Sequence, residues 1–200
     1  MADGSLIQLL RERFGHDGFR GGQREVVEGL LDGRSMLAVF PTGGGKSLCY
    51  QLPALLLDGI TLVVSPLIAL MKDQVDALRE KGVAAARLDS TLEPAAYEAV
   101  MQSLNDGSLK ILYVAPERLS NEGFRARLRK LKIALVAIDE AHCISEWGHN
   151  FRPDYLKLAK LCRDLKVPRG IHPADLRDRP APPAHSSARR WPPPPPCAGA

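Results

Sequence analysis

Two hundred residues with 45% hydrophobic side chains suffice for one domain with a buried core, which excludes a chain disordered throughout. The net charge is only +4, and four of the 27 basic and two of the 23 acidic residues lie in residues 170–200, leaving +2 on the rest, so charge alone does not mark a nucleic-acid binder. Cys49, Cys143, Cys162 and Cys197 contain no C-x-x-C pair, which argues against a zinc site or disulfide framework and fits reduced thiols in a cytoplasmic protein; the longest apolar stretch, residues 52–65, is broken by Asp58 and Gly59, so no membrane partner is expected.

Along the chain, residues 6–31 have helical spacing around a turn at 15–18, and residues 35–40 read as a buried strand. That strand runs into a glycine-rich stretch, and the next helix is expected to begin near Lys46. Strand-like runs follow at 60–65, 84–88, 110–115 and 133–139, separated by helical spacing at 68–81, 95–104 and 123–131. The alternation predicts an α/β fold with a parallel sheet covered by helices on both faces, and places ligands at the carboxyl ends of the strands.

Phe40-Pro-Thr-Gly-Gly-Gly-Lys-Ser47 has the strand-loop-helix context of a phosphate site. Thr42, Gly43, Gly44 and Gly45 would turn backbone N–H groups toward phosphates, Lys46 would reach the β- and γ-phosphates of ATP, and Ser47 would place its hydroxyl on Mg²⁺. Phe40 stands where the strict pattern has glycine, and a plain glycine-rich turn is the alternative. The partner stretch is Ala134-Leu-Val-Ala-Ile-Asp-Glu-Ala-His142, an apolar strand ending in two acids. Asp139 would hold Mg²⁺ and Glu140 would orient and deprotonate the attacking water, so Lys46, Asp139 and Glu140 are the candidate catalytic residues; a solvated turn is the alternative.

Together these two motifs resemble the nucleotide site of superfamily 2 helicases, and their neighbours resemble the RecQ family of ATP-dependent DNA helicases. The resemblance covers about residues 6–168 and implies a RecA-like P-loop NTPase lobe, the first of a helicase's two motor lobes, with Asp139-Glu140-Ala141-His142 as a DEAH box. Phe14-Gly15 and Phe19-Arg20-Gly21-Gly22-Gln23 look like the family's adenine-recognition motif, in which Gln23 would pair with the adenine edge and Arg20 and His16 would flank its face; Gly21 and His16 depart from the usual proline and larger aromatic. Ser65-Pro-Leu-Ile-Ala-Leu-Met-Lys-Asp-Gln74 looks like the next motif, whose turn at Ser65 would offer N–H groups to DNA phosphates. Asp89-Ser-Thr-Leu92 and Tyr113-Val-Ala-Pro-Glu-Arg-Leu119 fill later places in the same order.

Cys143-Ile-Ser-Glu-Trp-Gly-His-Asn-Phe-Arg-Pro153 is similar to the family's aromatic-rich loop. Trp147 and Phe151 would stack on unpaired bases and Arg152 would contact phosphate, although two core aromatics are the alternative. The implied partner is single-stranded or forked DNA, and the implied function is 3′ to 5′ helicase activity in DNA repair and recombination, in the cytoplasm or on a bacterial nucleoid. The competing reading is a non-catalytic fragment that binds nucleotide or DNA.

Ten of the sixteen prolines lie from Pro168 onward, and residues 169–200 are expected to form a disordered tail, with a polyproline II ligand for SH3- or WW-type modules as the alternative to plain disorder at Pro192 to Pro196. In the RecQ family a strand ending in Thr-Ala-Thr follows this point, between the phosphate-loop strand and the acidic strand. Here the text reads Arg169-Gly-Ile-His-Pro-Ala-Asp, which resembles an out-of-frame translation and predicts an incomplete, unstable sheet. The resemblance also implies that the arginine finger comes from a second lobe, so this chain alone is expected to hydrolyse ATP poorly and not to unwind DNA.

Overall fold

The computed structural model describes residues 3–41, 43–140, 169–171 and 188–190, the last two segments and Asp3 as backbone only. The chain opens with α1 (Asp3–Phe14) and α2 (Gln23–Leu31), then β1 (Met36–Ala38), α3 (Leu48–Leu56) and β2 (Ile60–Val64). It continues through α4 (Ile68–Glu80), β3 (Ala85–Leu88), α5 (Pro94–Asn105) and β4 (Ile111–Val114). A 3₁₀ turn (Pro116–Ser120), α6 (Glu122–Leu128) and β5 (Ile133–Ile138) follow, then β6 (Arg169–Ile171) and β7 (Ala188–Arg190). Each expected strand and helix of the body is present within a few residues of its expected bounds.

The sheet order is β3-β4-β2-β5-β6-β1-β7, parallel throughout except that β7 runs antiparallel to β1. Period-two alternation divides each central strand between two cores. Leu62 and Val64 of β2 pack with Leu112 and Val114 of β4 and with Met101 and Leu104 of α5, on the face that α6 also covers through Leu128. Val63, Ile111 and Tyr113 point the other way, toward Tyr50 of α3 and Met71 and Val75 of α4. Leu6 and Leu10 of α1 close a third cluster with Val27, Leu48 and Leu52. The expected helix-sheet-helix layering is therefore present.

A short strand occupies the place between β1 and β5: β6 pairs with β5 through Val136 with Arg169, Ala137 with Gly170 and Ile138 with Ile171, and with β1 through Met36 with Gly170 and Leu37 with Ile171. The three residues of β6 lie between Pro168 and Pro173 and all keep their N–H groups, and three are enough to bridge a strand as short as β1. The proline-rich stretch from residue 169 thus contributes two short strands to the sheet.

Candidate nucleotide site

The carboxyl ends of β1 and β5 are neighbours across β6 and carry the two candidate motifs. After β1, Phe40 turns into the core, 6% exposed, so the residue that replaces the expected glycine anchors the loop rather than lining it. The Gly44 N–H donates to the Pro41 carbonyl at 2.9 Å, closing a tight turn, and Gly43 and Gly45 adopt φ of 77° and 71°. A Cβ on Gly44 would stand 2.9 Å from the Pro41 oxygen, and one on Gly45 would stand 2.5 Å from Nε2 of Gln23. Backbone this crowded, with left-handed turns on either side, requires glycine. The first turn of α3 begins early, since the N–H groups of Leu48 and Cys49 donate to the carbonyls of Gly45 and Lys46.

Across the sheet, Asp139 is 8% exposed and its N–H donates to the Val64 carbonyl at 2.9 Å. Burial pushes its carboxyl up to about 6, the neighbouring charge of Glu140 adds to this, and the Glu140 N–H and the Lys46 ammonium oppose it. Lys46 and Asp139 are therefore close enough to feel one another. Glu140 has φ of 52°, a left-handed conformation that a non-glycine residue holds at a cost of about 1–3 kcal/mol. Among the described residues no three His, Cys, Asp or Glu side chains converge, so a Mg²⁺ here would take Asp139 and Ser47 and complete its shell with water and phosphate. The residues present suit that ion: a buried carboxylate and a hydroxyl at a helix start, both hard oxygen donors.

The expected adenine residues are distributed differently. Gln23 is 2% exposed and its amide is engaged within the protein: Oε1 accepts from the Arg20 N–H at 2.8 Å, and Nε2 donates to the carbonyls of Gly44 and Gly45, each at 3.1 Å. The Arg20 guanidinium donates to the Gly43 carbonyl at 3.2 Å. Both side chains thus hold the glycine loop, while His16 is exposed on the connection between α1 and α2. Ser65 departs from its expected DNA contact. It is 1% exposed, its Oγ has no hydrogen-bond partner among the described residues, and its N–H donates to the Val114 carbonyl as a continuation of β2. With Ser65 committed to the sheet and Pro66 lacking an N–H, the exposed residue at the start of α4 is Leu67. Thr42, Trp147, Phe151 and Arg152 lie outside the described residues.

Tyr50, Gln51 and Tyr113, which carry no assigned role in the sequence motifs, form a buried polar cluster behind the loop. Their types were visible, but a Tyr-Gln pair inside an apolar helix reads as packing unless the opposing strand is known.

A parallel sheet with a glycine loop after one strand and an acid pair after another defines the P-loop class of nucleotide-binding lobes. The DEAD/DEAH box helicase family matches residues 20–174, and the chain belongs to that family. It is 49% identical over 157 residues to the ATP-dependent DNA helicase RecQ of Haemophilus influenzae, and 49% identical over 158 residues to that of Bacillus subtilis. These alignments take in 78% of this chain but 25% and 27% of those proteins, so the chain spans about a quarter of their length. Its fold is similar to the Mycobacterium smegmatis helicase Lhr bound to ssDNA and AMP-PNP, with TM-score 0.64 and 23% identity over 85% of this chain and 25% of that one. A hypothetical ATP-dependent RNA helicase from Sulfolobus tokodaii gives TM-score 0.66 and 22% identity over 88% of this chain and 52% of that one.

Proposed function

We propose that this chain is the ATP-binding lobe of a RecQ-type 3′ to 5′ DNA helicase acting in DNA repair and recombination, in the cytoplasm and, in a bacterium, on the nucleoid. The observation that carries the reading is the placing of the crowded glycine loop after β1 and the buried Asp139 after β5 at the same end of one sheet, with only β6 between the two strands. In this reading the N–H groups of residues 42–45 and the Lys46 ammonium bind the phosphates of ATP, while Ser47 and Asp139 hold Mg²⁺. The ion supplies charge neutralisation at the β- and γ-phosphate oxygens when bound. Glu140 orients water for attack and accepts its proton. Arg20 and Gln23 exchange their loop contacts for the adenine, flanked by His16. Single-stranded or forked DNA lies along the carboxyl edge, with Leu67 and the start of α4 replacing the contact first assigned to Ser65, and with Trp147, Phe151 and Arg152 supplying stacking and a phosphate contact. Residues 1–168 form the body of the lobe, and residues 169–200 are a proline-rich segment that lends it two strands.

The test is phosphate release by the 200-residue chain with and without oligothymidylate. Slow, DNA-stimulated release that disappears in Lys46→Ala is the expected result, with no strand separation by this lobe alone. In the family the other lobe supplies an arginine finger worth about 10³–10⁵ in rate. Release unaffected by Lys46→Ala, or no nucleotide binding at all, would overturn the reading. Nucleotide and DNA binding without turnover would favour a non-catalytic module, a reading that draws on the engagement of Gln23 within the protein.

A further inference from the structure

Behind the phosphate loop a line of largely buried polar groups runs from Ser47 to Gln74, midway along α4, the helix whose start is the candidate DNA contact. The Tyr50 hydroxyl shares a hydrogen bond with the Ser47 side chain and lies 3.3 Å from the Tyr113 hydroxyl, with the two rings edge to face at 69°. Nε2 of Gln51 donates to the Tyr113 Oη at 3.1 Å and to Oε1 of Gln74 at 2.7 Å. Tyr50 and Tyr113 are each 1% exposed and Gln51 is 8% exposed, so water does not substitute for any link among them.

The donors give the line a direction. With both Gln51 N–H groups used on Gln74 and Tyr113, the Tyr113 oxygen accepts from Gln51, and the Tyr50 hydroxyl is its second hydrogen-bond partner. A shift of α4 that withdraws Gln74 leaves a buried Gln51 N–H unpaired, which is costly in a low dielectric and favours rearrangement back along the line to Ser47. Packing would be satisfied as well by phenylalanine and leucine at these positions, which carry no polar group to be left unpaired.

We propose that Ser47, Tyr50, Tyr113, Gln51 and Gln74 form a positioning relay that couples nucleotide at the phosphate loop to DNA at the start of α4. The proposal rests on the placing of ATP and DNA argued above.

The experiment measures binding of a fluorescent oligothymidylate to the full 200-residue chain with and without β,γ-imido-ATP and Mg²⁺, in the wild type, in Tyr113→Phe and in Gln74→Leu. The wild type is expected to show an affinity ratio within the usual allosteric range of about 5–150-fold. Each variant is expected to bring that ratio to within about two-fold of unity while changing affinity for either ligand alone by less than about two-fold. A packing role would lower the melting temperature and leave the ratio unchanged, and that result overturns the relay. Gln74 is only half-buried, so Gln74→Leu carries the test if Tyr113→Phe fails to fold. A wild type that binds both ligands with a ratio of one refutes the relay and leaves the helicase-lobe reading standing. A wild type that binds no nucleotide refutes both.

Discussion

Asp89, just past the end of β3, is 0% exposed, accepting from the Thr91 N–H at 2.8 Å and the Thr91 hydroxyl at 2.6 Å and pairing with Arg87. Burial acts to raise its carboxyl, but the bonds from Thr91 and Arg87 and the guanidinium charge outweigh it and hold it below the usual carboxylate range. A carboxyl depressed on folding contributes stability above its unfolded value of about 3.9, and that stability is lost as pH falls through the lower folded value. Asp89→Ala is therefore expected to cost about 1.5–3 kcal/mol in urea melts at pH 7, and the gap between variant and wild type should narrow below about pH 4. A gap independent of pH would show that the lost contacts owe nothing to charge. At the phosphate loop the residue types were legible in advance, because only a crowded turn explains three glycines before Lys-Ser. The destination of Gln23 was not, since an amide suits an adenine edge and a carbonyl pair equally well.

At the scale of elements, period and punctuation were enough to locate the helices and strands of the body. Asn121 begins α6 by accepting from the Phe124 N–H at 2.9 Å, and Pro94 begins α5 where its missing N–H is not needed. The entry to β2 depends on a glycine that looked like an ordinary interruption. Gly59 has φ of 134°, and a Cβ there would run into the carbonyl oxygen of Lys132, the same oxygen that accepts from the Ile60 N–H at 2.8 Å. Gly59→Ala is expected to lose about 1–3 kcal/mol by forcing apart the start of the β2–β5 pair. Equilibrium denaturation measures the loss, and an unchanged midpoint would contradict this account of the turn. Ser65 was misplaced because its N–H continues the β2–β4 pairing one residue past the strand, a commitment that depends on a partner far away in sequence.

For the whole molecule, the decisive feature is β6. It joins β1 to β5, and through them the glycine loop to Asp139, so the geometry of the candidate site depends on three residues between prolines. Gly170→Pro removes an N–H from a strand paired on both sides and leaves a buried carbonyl unsatisfied, at about 1–3 kcal/mol. Both the melting midpoint and the affinity for nucleotide are expected to fall. If neither changes, β6 is dispensable and the sheet closes without it.

The fold class, the order of the body's elements and the motifs of the candidate site were readable from the chain, because they are written locally as alternation, glycine runs and acids at the end of an apolar stretch. Only the folded chain decided that Gln23 and Arg20 hold the loop, that Ser65 is sheathed, that Tyr50, Tyr113 and Gln51 meet in the core, and that a proline-rich stretch supplies a central strand. Each of these is a contact across tens of residues. Such pairings are set by which buried donor finds which acceptor, and no local pattern records that choice.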